Sequence, residues 1–252
     1  MAKPVYFYGI HAVQSLLQHR GMDGLALFIQ DTKQADSNVV TMVQLAQQYG
    51  ISVQIAGKDK LTKLAESPQH QGVVLQARPA TLQDETDLQQ LISHKQQQQR
   101  PVLLLILDQI TDPNNLGACL RTAVAMGVDA VIIPKHHTST ITPAVAKVAV
   151  GATELIAFVQ VTNLARTLTA IKKHGVFVFG TALDATAKAA KDCDLTGDGA
   201  IVMGAEGEGM RRLTREHCDQ LISIPMAGSV SSLNVSVATG VCLFEIVRQR
   251  SL

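Results

Sequence analysis

Apolar positions follow two rhythms along this chain. Over residues 5–79, short apolar runs alternate with stretches of helical period. The pattern predicts a helix over 11–18, a strand over 25–29, a helix over 38–49, and strands over 52–55 and 72–77. Such alternation argues a small sheet covered by helices. Beyond residue 100, runs at 102–107, 130–133, 155–159, 176–179, 200–203 and 221–224 are almost continuously apolar. Unbroken hydrophobicity marks strands covered on both faces, as in a parallel sheet. Helical patterns over 116–126, 164–174 and 235–250 fall between or after them, the βα alternation of an open α/β domain. Leu233, Val237, Val241 and Phe244 repeat at helical spacing, which predicts that they belong to the core.

Between the two regions, residues 81–100 turn polar and end in Gln96-Gln97-Gln98-Gln99-Arg100. They predict a linker holding one short helix. The expected organisation is therefore a small α/β domain at 1–80, a polar linker at 81–100 and a larger α/β domain at 101–252.

At 252 residues and 46% hydrophobic composition, the chain can bury two cores. Its net charge is +1: seven basic and five acidic residues lie in 1–80, two and three in 81–100, and thirteen of each in 101–252. Bulk charge thus announces no nucleic-acid partner, and any such contact needs local basic patches. The four cysteines show no CxxC pair and no histidine at ligand spacing, so reduced thiols and no metal site are expected. No apolar stretch is long enough to span a bilayer, and no basic start precedes an apolar run of export length. A cytoplasmic protein without membrane contact is the expectation.

Candidate chemistry concentrates where predicted strands end. The first segment, Asp108-Gln109-Ile110-Thr111-Asp112-Pro113-Asn114-Asn115-Leu116-Gly117-Ala118-Cys119-Leu120-Arg121-Thr122-Ala123, leaves a buried strand and enters a helix. A pocket at a helix start suits an anionic group, and Arg121 offers a bidentate fork; an Asn cap beside a surface arginine fits the same spacing. The second, Met203-Gly204-Ala205-Glu206-Gly207-Glu208-Gly209-Met210, is a glycine loop with two acids. Bare backbone there can approach a ligand, or simply turn; the GxxGxG order is not the dinucleotide fingerprint, which disfavours a nicotinamide-dependent oxidoreductase. The third runs Ile224-Pro225-Met226-Ala227-Gly228-Ser229-Val230-Ser231-Ser232-Leu233-Asn234-Val235-Ser236, where Ser232 and Asn234 read as ligand contacts or as helix caps. Gly180-Thr181-Ala182-Leu183 follows another strand in the same way, and strand ends converging on one crevice are where open α/β sheets bind ligands.

At these residues the sequence resembles the SpoU-type RNA ribose 2′-O-methyltransferases of the SPOUT superfamily: DPxNxGxxxRTA at 112–123, MGAEGEGM at 203–210 and IPMxGxxxSLNVSxA at 224–238. Three ordered motifs over about 130 residues are highly specific. Tyr8-Gly9-Ile10-His11-Ala12-Val13 and His70-Gln71-Gly72-Val73 also resemble the N-terminal RNA substrate-binding domain of members that methylate a guanosine of 23S, large-subunit, ribosomal RNA. The resemblance implies S-adenosyl-L-methionine as methyl donor, no metal, a deep trefoil knot in the C-terminal domain, and a homodimer packed through the catalytic domains. It implies that Gly204, Ile224 and Leu233 contact the cofactor, that the loops at Thr181 and Met226 wall its adenine, and that Asn115, Arg121, Glu206, Ser232 and Asn234 occupy catalytic or substrate-facing positions.

The resemblance assigns activation of the ribose hydroxyl to Arg121. A guanidinium is a poor base, so a milder role follows: Arg121 holds a neighbouring phosphate and polarises the hydroxyl while phosphate or water takes the proton. His11, Lys33, Lys58, Lys60 and Lys63 are candidate RNA contacts of the N-terminal region. A transfer-RNA ribose methyltransferase and a non-catalytic RNA-binding assembly factor are the alternatives, the second predicting no cofactor binding.

Overall fold

A computed structural model describes residues 3–184, 186–205, 207, 209–229 and 232–251 of the chain. The chain folds into two compact units, 1–81 with 140–155, and 82–139 with 156–252.

The first unit holds a four-stranded sheet in the order β1-β4-β2-β3, where β1 is Val5–Tyr8, β2 Gly24–Gln30, β3 Ser52–Ala56 and β4 Val73–Ala77. β4 runs antiparallel to both β1 and β2, and β2 pairs β3 in parallel. Alternation along each strand feeds two cores. Phe7, Leu27, Ile29, Val73 and Leu75 pack with Val13, Leu16 and Leu17 of α1 (Ile10–Arg20) and Val39 and Met42 of α2 (Ser37–Gln48). Tyr8, Phe28 and Val74 face the other way, onto Leu61 of α3 (Lys58–Ala65). The pattern did not predict β1 or α3, because four residues after the chain start and a lysine-rich helix give little periodicity.

Residues 140–155 also belong to this unit. Helix α6 (Pro143–Ala149) puts Ala146 into the first core, Ser15 Oγ donates to Gly151 O at 3.0 Å, and Arg20 Nη1 lies 3.3 Å from Glu154 Oε2. Leu155, expected to open a strand, is 54% exposed, and the strand begins at Ala157.

The second unit carries seven strands in the order β7-β6-β5-β10-β8-β11-β9, every pair parallel. They are β5 Leu103–Leu107, β6 Ala130–Pro134, β7 Ala157–Val161, β8 Phe177–Thr181, β9 Lys188–Ala189, β10 Gly199–Met203 and β11 Gln220–Ser223. Every residue of β5, β6 and β10 is buried, as continuous hydrophobicity demands of a covered parallel sheet. Helices α5 (Pro113–Ala125), α7 (Leu164–Lys173), α8 (Arg212–Glu216) and α9 (Val235–Arg250) complete the unit.

The polar segment 81–100 holds a 13-residue helix, α4 (Glu85–Gln97), started by a capping box in which Asp84 and Asp87 bond each other's backbone N–H. Its Leu88 and Ile92 enter the core that also contains Leu104, Ile132, Val159 and Leu168. Lys95 pairs with Asp129 at 2.5 Å, and Gln96 donates to Asp198 at 2.7 Å. The sequence predicts one short helix here, and three apolar positions in a glutamine-rich stretch did not disclose its length or its packing.

The expectation for α9 needs correction. Val237, Val241 and Phe244 are 52%, 41% and 58% exposed, and the buried stripe is Val235, Thr239, Cys242, Leu243 and Ile246. Both stripes have helical spacing, so periodicity alone could not choose between them. Among the described residues, no helix is long and apolar enough to cross a membrane.

Because Ile92 is fully buried, Ile92→Ala should destabilise the protein by about 2–5 kcal/mol, read by urea unfolding. A loss under about 0.5 kcal/mol would mean that α4 only tethers.

Candidate active site

Inserting β10 between β5 and β8 brings three strand ends side by side, and the chain leaves each in a polar loop. After β10 it doubles back at once. Ala205 N donates to Gly209 O at 3.0 Å and Gly209 N to Ala205 O at 2.9 Å, with Gly207 and Gly209 at φ +80° and +72°. A Cβ on Gly204 would stand 2.2 Å from Gly209 C and 2.3 Å from Met210 N. The glycine spacing of this motif is therefore the geometry of a closed turn that leaves backbone bare. Glu206 and Glu208 lie outside the described residues.

Thr181 closes β8 by donating its hydroxyl to Val202 O at 3.0 Å, and Ala182 N donates to Ile222 O at 2.9 Å. Beyond it, Asp184 accepts from Thr186 and pairs with Arg215 of α8. The Thr186 hydroxyl first, then the Arg215 guanidinium and the Thr186 N–H, hold the Asp184 carboxyl down to about 2.

The two helix starts meet beside this crevice. Asp112 caps α5, accepting from Asn114 N at 3.1 Å, with Pro113 in the first turn. Asn234 caps α9, accepting from Ser236 N at 2.9 Å, while its Nδ2 donates to Asn115 Oδ1 at 2.9 Å. Two asparagines 119 residues apart are thus joined.

A cavity of about 740 Å³ opens among these elements. Thr181, Gly204, Ile224, Met226, Ser232, Leu233 and Asn234 line it, with Met203 and Met210. Asn115 joins through Asn234. Arg121 is exposed on α5 and does not line the cavity, and Glu206 lies outside the described residues. Among the described residues, no group of three His, Cys, Asp or Glu side chains could hold a metal ion.

Two further charged pairs carried no signal in the sequence. Asp184 and Arg215 stand at the cavity wall. Asp108, at the end of β5, is 0% exposed and accepts from Arg211 through Nε at 2.8 Å, Nη2 at 2.7 Å and the backbone N at 3.0 Å. Each pair spans 31 or 103 residues of sequence, beyond any local pattern.

With that geometry in place, two family models match. One, described as the SpoU rRNA methylase family, covers residues 102–244. The chain belongs to this family. The other, described as RNA 2′-O ribose methyltransferase substrate binding, covers residues 6–83. A family relative named 23S rRNA (guanosine-2′-O-)-methyltransferase, from Acinetobacter baylyi, is 50% identical over 99% of both chains. The protein so named from Escherichia coli K12 is 48% identical over 97% of this chain and 98% of its own. Among solved structures, the SpoU methyltransferase AviRb from Streptomyces viridochromogenes aligns with TM-score 0.79 at 21% identity, over 98% of this chain and 90% of its own. An AdoMet-bound rRNA methyltransferase from Sinorhizobium meliloti aligns with TM-score 0.76 at 22% identity, over 97% and 87%. At these identities the structural likenesses speak to fold.

Gly204→Ala should force the Gly204–Met210 turn apart and cost about 1–3 kcal/mol, measured as a lowered unfolding midpoint. An unchanged midpoint would mean that the turn is looser than this packing requires.

Proposed function

We propose that this chain transfers the methyl group of S-adenosyl-L-methionine to the ribose 2′-hydroxyl of a guanosine in 23S ribosomal RNA. The observation that carries the reading is identity near 50% across almost the whole chain with proteins named for that reaction. On this reading residues 1–80 select the RNA, 81–100 connect, and 101–252 catalyse. The work takes place in the cytoplasm, where ribosomal RNA is found.

The cavity fits the cofactor. Its volume, about 740 Å³, lies in the usual range for such ligands, and the glycines Gly204, Gly207 and Gly209 put side-chain-free backbone on its wall. Gly204, Ile224 and Leu233 would hold the cofactor by backbone and apolar contact, with Thr181 and Met226 against the adenine. When bound, S-adenosyl-L-methionine supplies a methyl on a positively charged sulfur. The residues around it have to align the ribose oxygen with that methyl, and alignment is a large part of such an acceleration. Asn115 and Asn234, bonded to each other, orient the nucleotide together with Ser232 and Glu206. Arg121 holds the adjoining phosphate and polarises the hydroxyl, whose proton leaves to phosphate or water.

The order β5-β10-β8-β11, with the two latest strands inserted inside earlier ones, supports a deep trefoil knot in the catalytic domain. The exposed stripe Val237, Val241 and Phe244 on α9 supports a homodimer packed through that domain, because large apolar faces seek a partner.

The test is transfer of labelled methyl to 23S ribosomal RNA lacking the modification. The wild type should yield one 2′-O-methylguanosine, and Arg121→Ala should lower kcat about 100-fold or more. Transfer to transfer RNA instead, or no transfer, would overturn the substrate assignment. Phe244→Glu should shift the protein to monomer in size-exclusion light scattering; a wild-type monomer would refute the dimer.

A further inference from the structure

The turn that forms one wall of the cavity is tied at both ends to the same strand. It leaves β10, whose Met203 O accepts from Asp108 N at 2.8 Å, one residue past the last paired residue of β5. It ends at Arg211, whose backbone N and Nε reach back to the Asp108 carboxylate at 3.0 and 2.8 Å. Four residues after Asp108, Asp112 caps the helix that carries Asn115 and Arg121. One buried residue therefore bonds both ends of the cofactor-side turn, by its backbone N–H and its carboxylate, and stands four residues before the cap of the substrate-side helix.

From this arrangement we infer that Asp108 and Arg211 are positioning residues, which latch the 204–210 turn in the conformation that accepts the cofactor; the inference rests on the function proposed above. A buried ion pair is a poor means of stabilising a fold, since apolar residues of the same volume often do as well. What it supplies is direction. The guanidinium fork and the adjoining N–H converge on one carboxylate from fixed angles, so the turn can rotate only by breaking all three bonds. Without them the turn samples other conformations, and cofactor affinity falls in proportion to the fraction that remains competent.

Asp108→Asn/Arg211→Gln replaces the charges by neutral partners of similar shape, and Arg211→Lys keeps the charge without the fork. The neutral pair leaves no carboxylate to be orphaned, and Arg211→Lys keeps a cation beside it, so both variants spare the fold an unpaired buried charge. S-adenosyl-L-methionine binding is measured by calorimetry on the full chain, beside the unfolding midpoint and steady-state kinetics. The neutral pair should bind the cofactor about tenfold more weakly and raise its KM in parallel, with KM for ribosomal RNA changed less than about twofold. Arg211→Lys should recover part of the loss. A lowered midpoint with unchanged cofactor affinity would overturn the inference and leave the pair a purely structural bond. Absence of cofactor binding by the wild type would instead overturn the functional reading, and the latch with it.

Discussion

The rest of the second unit depends on the pairing of β10. Gly199–Met203 is buried throughout and bonded to β5 on one side and β8 on the other. A buried strand that left its N–H and C=O groups unpaired would forfeit several hydrogen bonds in a medium without water. The strand therefore fixes its neighbours in register, and that register decides which loops meet. Gly204 emerges beside Asp108 on one side and near Thr181 on the other, where the Thr181 hydroxyl caps Val202 O. A cavity flanked by these loops is a consequence of sheet order.

Sheet order is also what the sequence could not disclose. The six long strands of the second unit were legible, because unbroken apolar runs have few other uses in a chain of this composition. The boundaries of α9 agree with its pattern to the residue, since Asn234 caps it and the apolar period persists to Arg250. Which stripe of that helix faces inward was not legible: two apolar stripes compete there, and choosing between them needs the neighbours Cys119 and Thr239, 3.5 Å apart across α5 and α9. Segments with sparse apolar positions, α4 above all, gain their order from contacts that only the fold creates.

The candidate site divides in the same way. Motif glycines could be read as permitting a turn, and the turn is there, closed by the Ala205 and Gly209 backbone. An asparagine of the first motif and Asn234 could be read as helix caps; Asp112 caps α5 instead, while Asn234 does cap α9 and its side chain also reaches Asn115. Cap and site contact turn out to be compatible uses of one side chain. Asp108 and Arg211 were passed over because their 103-residue separation is bridged only by the pairing of β5 with β10.

The excursion at residues 140–155 bears on how such proteins can be taken apart or recombined. The chain passes from one unit to the other after residue 81, returns after 139 and leaves again after 155. A single break near residue 81 would cut one of three covalent connections and leave two. Removing residues 1–81 would also strand Ala146 without its core and Glu154, whose side chain is 2% exposed, without Arg20. Evolution or an engineer exchanging the N-terminal portion between relatives must therefore move the excursion with it. The two units are separable as packing but not as genes.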